Sequence, residues 1–207
     1  MFLKEGIIDM KNKNSVEQYF HQKNFSVLEI ILLIIAIASL IAATFIQGGG
    51  PIGLPILLVC IVGFFACHSS KVKDNEIEQA LKKIMQDHKV ECSENAIQCY
   101  ELKNTVIKKR KDGKFISPNY YITDITFAPE YTLFNTCIIN LVEQSVETIS
   151  QRVNCNEKIT LTEETIKTDT GFVKTSHLEF ENGRVIPVTL NDYRSSKLLQ
   201  KICDRHK

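Results

Sequence analysis

The chain has 207 residues, 24% of them charged, and a formal net charge of only +1. A nucleic-acid-binding protein needs a surplus of cations to displace counterions from phosphates, so this near balance argues against that class. Seven cysteines without regular spacing do not match a small secreted disulfide scaffold, and we expect free thiols in a reducing compartment.

The first predicted element is apolar. No Asp, Glu, Lys or Arg occurs between Ile30 and Ser70. Two apolar runs, Phe25–Ile46 and Pro51–Cys67, are joined by a short connection that contains three glycines. A helix needs roughly 20 apolar residues to cross the hydrocarbon core, and glycine permits a tight reversal. The pattern predicts a transmembrane helical hairpin over residues 25–70.

Two details of this hairpin stay open. The second run is short, so a re-entrant or tilted segment is the alternative to a full span. The start of the chain is either Met1 or Met10, where the sequence MKNKN begins. We expect Glu29 to lie close enough to the helix end to reach the headgroups and remain solvated.

The flanks of the hairpin predict its orientation. Lysines precede and follow it, whereas the connection between the runs carries no charge, so a cell-membrane protein with two passes and both termini in the cytoplasm is expected. A cleaved signal peptide is disfavoured, because acidic residues lie before the first run and a second apolar run follows. The flanking lysines are Lys4, Lys11, Lys13 and Lys23 before the hairpin, and Lys71, Lys73, Lys82 and Lys83 after it.

Neither apolar run carries a charge near its middle, which indicates an anchor rather than a transport pathway. Small side chains follow much of the first run and would let it pack closely against the second helix or against another copy. They are Ala36, Ala38, Ser39, Ala42 and Ala43.

Residues 71–90 follow the hairpin and contain an amphipathic helix, predicted over Asn75–His88. Asp74 or Asn75 is a suitable N-cap. We interpret the helix as a connector packed on the soluble domain, and the alternative is a helix on the membrane surface or against a partner.

Residues 91–207 have alternating hydrophobicity and form the predicted β domain. Asp112-Gly113 and Asn182-Gly183 each predict a tight hairpin with a type I′ turn. Pro118 and Pro187 are expected at an edge, a bulge or a strand end. Seven strands are predicted over 96–102, 114–127, 132–141, 146–153, 158–166, 172–180 and 184–190, before a helix over 191–205 that Asn191 caps. The stretch KRKDGKFISPNYYITDITF, which contains the second of these strands, is either one bent strand or two.

This order of elements resembles a known family. The runs ITLTEETIKTDTG and HLEFENGRVIPVTLND and the closing helix are similar to the pleckstrin-homology-like (PH-like) split barrel, which bacterial membrane proteins often carry after a transmembrane hairpin. The resemblance covers residues 96–207 and depends mainly on strand order. It implies an α+β fold: a transmembrane hairpin, then a seven-stranded PH-like barrel or sandwich with a C-terminal helix.

The candidate site is a basic hairpin around Asp112-Gly113. Five cations occur within seven residues: Lys108, Lys109, Arg110, Lys111 and Lys114. The resemblance implies that this hairpin joins the first two strands and presents cations to lipid headgroup phosphates. The other interpretation is a solvated tip that discourages edge-to-edge aggregation.

No metal, cofactor or catalytic activity is predicted. The spacing of His88, Cys92 and Cys99 does not match that of structural zinc sites, and the remaining possible ligands are scattered. The chain has no Gly-rich phosphate loop, nucleophile elbow or HExxH motif.

The sequence therefore predicts a membrane-anchored cytoplasmic binding or assembly module. Its expected partners are membrane lipids and a protein, either another copy of the chain or a different one, that binds at exposed strand edges. Nucleic acid is not among them. The alternative is an accessory subunit of a membrane transport complex.

Overall fold

The computed structural model describes residues 15–22, 25–45, 50–69, 71–103, 105–168, 171–189 and 193–206. Its contacts divide the chain into two compact units. The hairpin unit is His21–Lys73, and the β domain combines Asp74–Lys207 with the chain up to Phe20. The amphipathic helix and the start of the chain thus belong to the same unit as the strands.

The hairpin unit contains two long helices. A short helical segment, α1 (15–21), precedes α2 (Val27–Phe45) and α3 (Gly50–Ser69). Helices α2 and α3 are long and apolar enough to cross a membrane. The second helix is longer than its apolar run because it also includes Gly50, His68 and Ser69. Most of the predicted connection, the N-terminal flanking lysines and both candidate start residues lie outside the described residues.

Helices α2 and α3 pack through small residues. A Cβ atom added at Gly53 of α3 would lie 2.7 Å from the backbone oxygen of Ser39 and 2.9 Å from the Cβ of Ala43. Both distances are shorter than van der Waals contact, so only glycine fits there. Of the two packing partners that the sequence left open for the small residues of α2, the structure places α3 against Ser39 and Ala43.

The β domain begins with α4 (Asp74–Asp87), which buries Ile77 and Ile84 on one face. This agrees with the predicted amphipathic pattern, and the helix starts at Asp74. From the N-terminal segment, Val16, Tyr19 and Phe20 are also buried.

In the part of the chain that the structure describes, nine antiparallel strands form three open sheets. One sheet has the order β1-β4-β5-β6, the second contains β2 and β3, and the third has the order β7-β8-β9. Helix α5 (Tyr193–Arg205) follows. The strands are β1 (Ala96–Tyr100), β2 (Lys108–Lys109), β3 (Phe115–Ile116), β4 (Asn119–Phe127), β5 (Tyr131–Asn140), β6 (Ser145–Asn154), β7 (Ile159–Thr168), β8 (Gly171–Phe180) and β9 (Val185–Val188).

The structure confirms an α+β fold but not a seven-stranded barrel. The sequence left open whether the stretch over 114–127 is one bent strand or two; the structure has two, because Ser117 and Pro118 separate β3 from β4. Pro118 has no N–H for a ladder. Strand β3 instead pairs with β2 in a short ladder within the connection between β1 and β4. Pro187 lies in β9, an outer strand, as expected for proline.

Both predicted tight hairpins are present, but the type I′ turn is wrong. Within these two turns, only the glycines have positive φ, +85° at Gly113 and +78° at Gly183. In the first hairpin, the Arg110 N–H donates to the Lys114 carbonyl at 2.8 Å, which leaves a three-residue loop. The Phe180 N–H makes the equivalent bond to Arg184 at 3.0 Å. A three-residue loop needs positive φ only at its last position.

The core of the β domain lies between strands of the two larger sheets and α5. Phe134 and Phe180 meet edge to face at a centroid distance of 5.1 Å, and Leu199 and Ile202 of α5 complete the cluster. His206, fully buried, contacts the Thr132 hydroxyl at 2.8 Å and the Glu157 carbonyl at 3.0 Å. The predicted cap Asn191 lies outside the described residues.

Candidate functional site

The five predicted site residues lie together in the connection between β1 and β4. Lys108 and Lys109 form β2, and the other three cations belong to the loop that leads to β3. The site is therefore one continuous segment, which the β2–β3 ladder holds as a hairpin. Its five side chains have different surroundings.

The Lys108 side chain binds the N-terminal segment. Its Nζ donates to the Tyr19 carbonyl at 2.6 Å and lies 3.9 Å from the centroid of the Tyr19 ring. Tyr19 is fully buried, and its hydroxyl donates to Asp74 Oδ1 at 2.7 Å. Burial raises the pKa of Tyr19 above its usual range, and the bond to Asp74 adds to this effect. The phenol therefore stays protonated and acts as a donor.

The Arg110 side chain forms ion pairs with helix α4. Its guanidinium lies 2.6 Å from Glu78 Oε1, 3.5 Å from Asp112 Oδ2 and 4.0 Å from Asp74 Oδ2. The Lys111 N–H also donates to Asp74 at 3.0 Å. These contacts fix the base of the basic hairpin against the first two turns of α4.

Asp74 connects these groups. Burial acts to raise its pKa, but the Lys111 N–H, the Tyr19 hydroxyl and the Arg110 guanidinium together hold that pKa below its ordinary value. The carboxylate is thus stabilised in its charged form by three groups from three segments of the chain.

The remaining three cations, Lys109, Lys111 and Lys114, are exposed. The Lys109 ammonium lies 5.7 Å from the centroid of the Phe115 ring. Asp112, the one acidic residue of the segment, pairs with Arg110 and accepts the Lys114 N–H at 3.1 Å. The hairpin therefore presents three lysine ammonium groups to its surroundings, and two of the five predicted cations serve the fold.

Sequence reasoning missed Tyr19, Asp74 and Glu78 as parts of this site. The sequence pattern indicates Asp74 only as a helix cap, and Glu78 only as an acidic residue near the start of a helix. No local signal identifies Tyr19, which is separated from Asp74 by 55 positions. Acidic residues in the first turns of a helix that follows a basic-rich chain are a weak signal for such a pairing.

A second group of charged and polar side chains lies where α2 begins and α3 ends. Glu29 of α2 accepts the Ser26 N–H at 2.5 Å, and the Glu29 N–H donates to the Ser26 hydroxyl at 3.2 Å, which forms a capping box. The carboxylate also lies 2.6 Å from Lys71 Nζ and 3.1 Å from His68 Nδ1. Glu29 is 0% exposed. The expectation that it remains solvated is wrong, because cationic and polar partners within the unit replace water.

The β domain also contains a cavity of about 220 Å³ between the β1–β4 connection and strands β8 and β9. Its charged lining residues already have partners. Glu101 accepts from Asn119, and Lys103 pairs with Glu164 at 2.8 Å. His177, which also lines the cavity, lies with its Nε2 3.2 Å from Glu179 Oε1. The walls of the cavity are thus held together by internal pairs.

Within the described ranges, no three His, Cys, Asp or Glu side chains are close enough to hold a metal ion. All seven cysteines are free thiols. Cys99 is buried, its Sγ donates to the Pro187 carbonyl at 3.2 Å, and burial raises its pKa to about 12. Such a thiol is a packing residue rather than a nucleophile.

The basic hairpin, held by the N-terminal segment and α4, is thus the main cationic feature of the predicted site. No protein-family model, curated protein or solved structure matches the chain.

Proposed function

We propose that this protein is a non-enzymatic binding module of the cell membrane. Helices α2 and α3 anchor it as a two-pass hairpin, and both termini lie in the cytoplasm. A PH-like domain then contacts anionic lipid through Lys109, Lys111 and Lys114. The exposure of these three lysines on a hairpin whose one acidic residue is already paired is the observation that carries the proposal.

The anchor is supported by where apolar side chains are exposed. Of 24 large apolar side chains that are exposed in the described residues, 20 lie between Phe25 and Phe65. Water around this surface would oppose folding, because each exposed apolar side chain forgoes about 1.5–3 kcal/mol of burial. Lipid removes that penalty.

The shared compartment of the termini is supported by a contact within the β domain. Tyr19 precedes the hairpin in the chain and Asp74 follows it, yet their side chains share a hydrogen bond of 2.7 Å. Lys108 also bonds to the backbone of Tyr19. If its two flanks fold into one unit, the chain must first enter and finally leave the membrane at the same face, and the flanking lysines favour the cytoplasmic one.

The PH-like interpretation is supported by the order of the larger sheets. A four-stranded antiparallel meander is followed by a three-stranded meander and a C-terminal helix. The β2–β3 ladder lies within the connection between the first two strands of the meander, where the resemblance expects a lipid-binding hairpin.

To test lipid contact, we would reconstitute the full chain in nanodiscs of phosphatidylcholine alone or mixed with phosphatidylglycerol. Amide hydrogen exchange over residues 105–116 is then compared. Each lysine near an anionic surface contributes ~1 kcal/mol, so protection by the anionic lipid is expected to reach about 100-fold. Replacing Lys109, Lys111 and Lys114 by Gln should remove this difference.

The matched control replaces Arg194, Lys197 and Lys201 by Gln, which removes the same charge from exposed positions on α5. It should retain the protection. Equal exchange in both lipid mixtures for the wild type, or equal loss in both triple variants, would overturn lipid contact through the basic hairpin.

The topology is tested separately. Reporter tags placed before Met1 and after Lys207 should both be accessible only from the cytoplasm. Labelling of the two tags from opposite faces would contradict the two-pass arrangement.

A further inference from the structure

The tip of the β7–β8 hairpin carries an exposed aromatic side chain. Phe172 is 75% exposed, although it belongs to a regular strand. Outside the 20 exposed apolar side chains of the hairpin unit, the described residues include four more: Val106, Phe172, Val185 and Tyr193. Phe172 is the one phenylalanine among these four.

Two lysines lie on the same face of the sheet as Phe172. Lys167 is its direct cross-strand neighbour, and Lys174 is two positions further along β8. Side chains two positions apart in a strand share a face, so the face presents Lys167, Phe172 and Lys174 in a row. All three are exposed. Asp169 lies between the two strands in the sequence and is outside the described residues.

The tip is an ordered part of the sheet. The ladder continues to the pair formed by Thr168 and Gly171, and the Thr168 hydroxyl donates to the Gly171 carbonyl at 2.8 Å. Gly171 has a φ of +125°, a conformation that other residues rarely adopt. On the opposite face, Val173 is buried. Phe172 is therefore exposed because the pleat directs it outward.

An aromatic ring between two lysines fits the boundary between headgroups and acyl chains. The ring enters the apolar layer, while the long lysine side chains keep their ammonium groups at the phosphates. A protein groove is less well matched, because the lysines on both sides would lose water without a paired anion. The charge of this face is complementary to an anionic bilayer.

We propose that the β7–β8 tip is a second membrane contact, in which Phe172 inserts into the interfacial layer of an anionic bilayer and Lys167 and Lys174 bind headgroup phosphates. This inference depends on the membrane location proposed above, but not on the basic hairpin. It adds apolar insertion to a β domain whose other proposed lipid contact, the basic hairpin, is electrostatic.

The chain contains no tryptophan, so a single substitution introduces a unique fluorophore. The full-length Phe172→Trp variant is reconstituted in vesicles of phosphatidylcholine with phosphatidylglycerol. We expect a blue-shifted emission and strong quenching by lipids with brominated acyl chains. Adding Lys167→Gln and Lys174→Gln should weaken the insertion, by roughly fivefold for each lysine.

The matched control is Tyr193→Trp, at an aromatic position on α5 that is 83% exposed. It should emit at long wavelength and resist quenching. Quenching of both variants to the same extent, or of neither, would overturn insertion at Phe172.

The basic hairpin is measured in the same samples by hydrogen exchange over residues 105–116. Quenching of Phe172→Trp without protection of residues 105–116 supports the tip and overturns the basic hairpin. Protection of residues 105–116 without quenching of Phe172→Trp supports the basic hairpin and overturns the tip. Labelling of the terminal tags from opposite faces overturns the shared topology, whichever contact is seen.

Discussion

The hairpin unit and the β domain distribute the same residue types in opposite ways. In the hairpin unit, large apolar side chains face outward, and small residues and the Glu29 carboxylate are buried. In the β domain, apolar side chains such as Phe134 are buried and most charges lie at the surface. This difference is expected if lipid surrounds the hairpin unit, as proposed, and water surrounds the β domain, because the medium decides which side chains gain from burial.

Each unit surrounds one carboxylate with several partners. Glu29, which is buried, contacts Lys71 and His68, whereas Asp74, which is partly exposed, is held by Tyr19, Arg110 and a backbone N–H. In each case, the carboxylate lies at a helix start and receives donors from distant parts of the chain. Such pairing offsets the cost of removing a charge from water, a cost that is largest for the buried Glu29.

The largest expected effect on stability comes from a substitution in the core of the β domain. Phe134→Ala removes a fully buried ring that packs against Phe180, and should lower the free energy of unfolding by about 3–5 kcal/mol. Urea unfolding of the full chain in mild detergent, followed by circular dichroism, measures the loss.

The matched control is Phe172→Ala, which removes the same ring from an exposed position and should change stability by about 0.5 kcal/mol or less. A similar loss in both variants would show that the core does not lie around Phe134.

The next effect concerns packing within the hairpin unit. Gly53→Ala adds a Cβ that meets the Ser39 backbone oxygen at 2.7 Å, so α2 and α3 must separate. Because overpacking has a cost of about 1–3 kcal/mol, the hairpin should dissociate earlier in a titration with a denaturing detergent. Fluorescence energy transfer between the two helices reports the separation.

Gly63→Ala provides the comparison for Gly53. Its Cβ would meet Leu32 Cδ1 at 3.5 Å, an ordinary contact, so helix separation should stay close to that of the wild type. Equal sensitivity of both variants would contradict close packing at Gly53.

The smallest expected effect on stability is at the carboxylate of Asp74. Since its pKa is lowered in the folded state, its contribution to stability is present above the ordinary aspartate range, about 4. It is lost as the pH falls through the lowered folded value. Asp74→Asn should therefore reduce stability at neutral pH by about 1 kcal/mol, the size of a partly screened hydrogen-bonded interaction.

Unfolding of wild type and Asp74→Asn at a series of pH values should show this difference shrinking in acid. Asp87→Asn, at the exposed end of α4, is the control and should stay within about 0.5 kcal/mol of the wild type at neutral pH. A difference between wild type and Asp74→Asn that does not change with pH would exclude the carboxylate as its source.

Local patterns determined much of this protein. The apolar runs indicated α2 and α3, and alternation indicated β5 to β9 within a few residues of their observed bounds, because each pattern is a property of neighbouring residues. The basic hairpin was visible for the same reason. The sequence left open whether the stretch around Ser117 and Pro118 forms one strand or two, since a proline alone permits an edge, a bulge or an end.

Tertiary structure decided which of the five predicted cations remain exposed. Lys108 is held by Tyr19, 89 positions away, and Arg110 by Glu78. The tertiary structure also buries Glu29, because Lys71, which is 42 positions away in the sequence, binds its carboxylate. These outcomes depend on contacts between segments that only the folded chain brings together, whereas the sequence by itself specifies periodicity and the length of each apolar run.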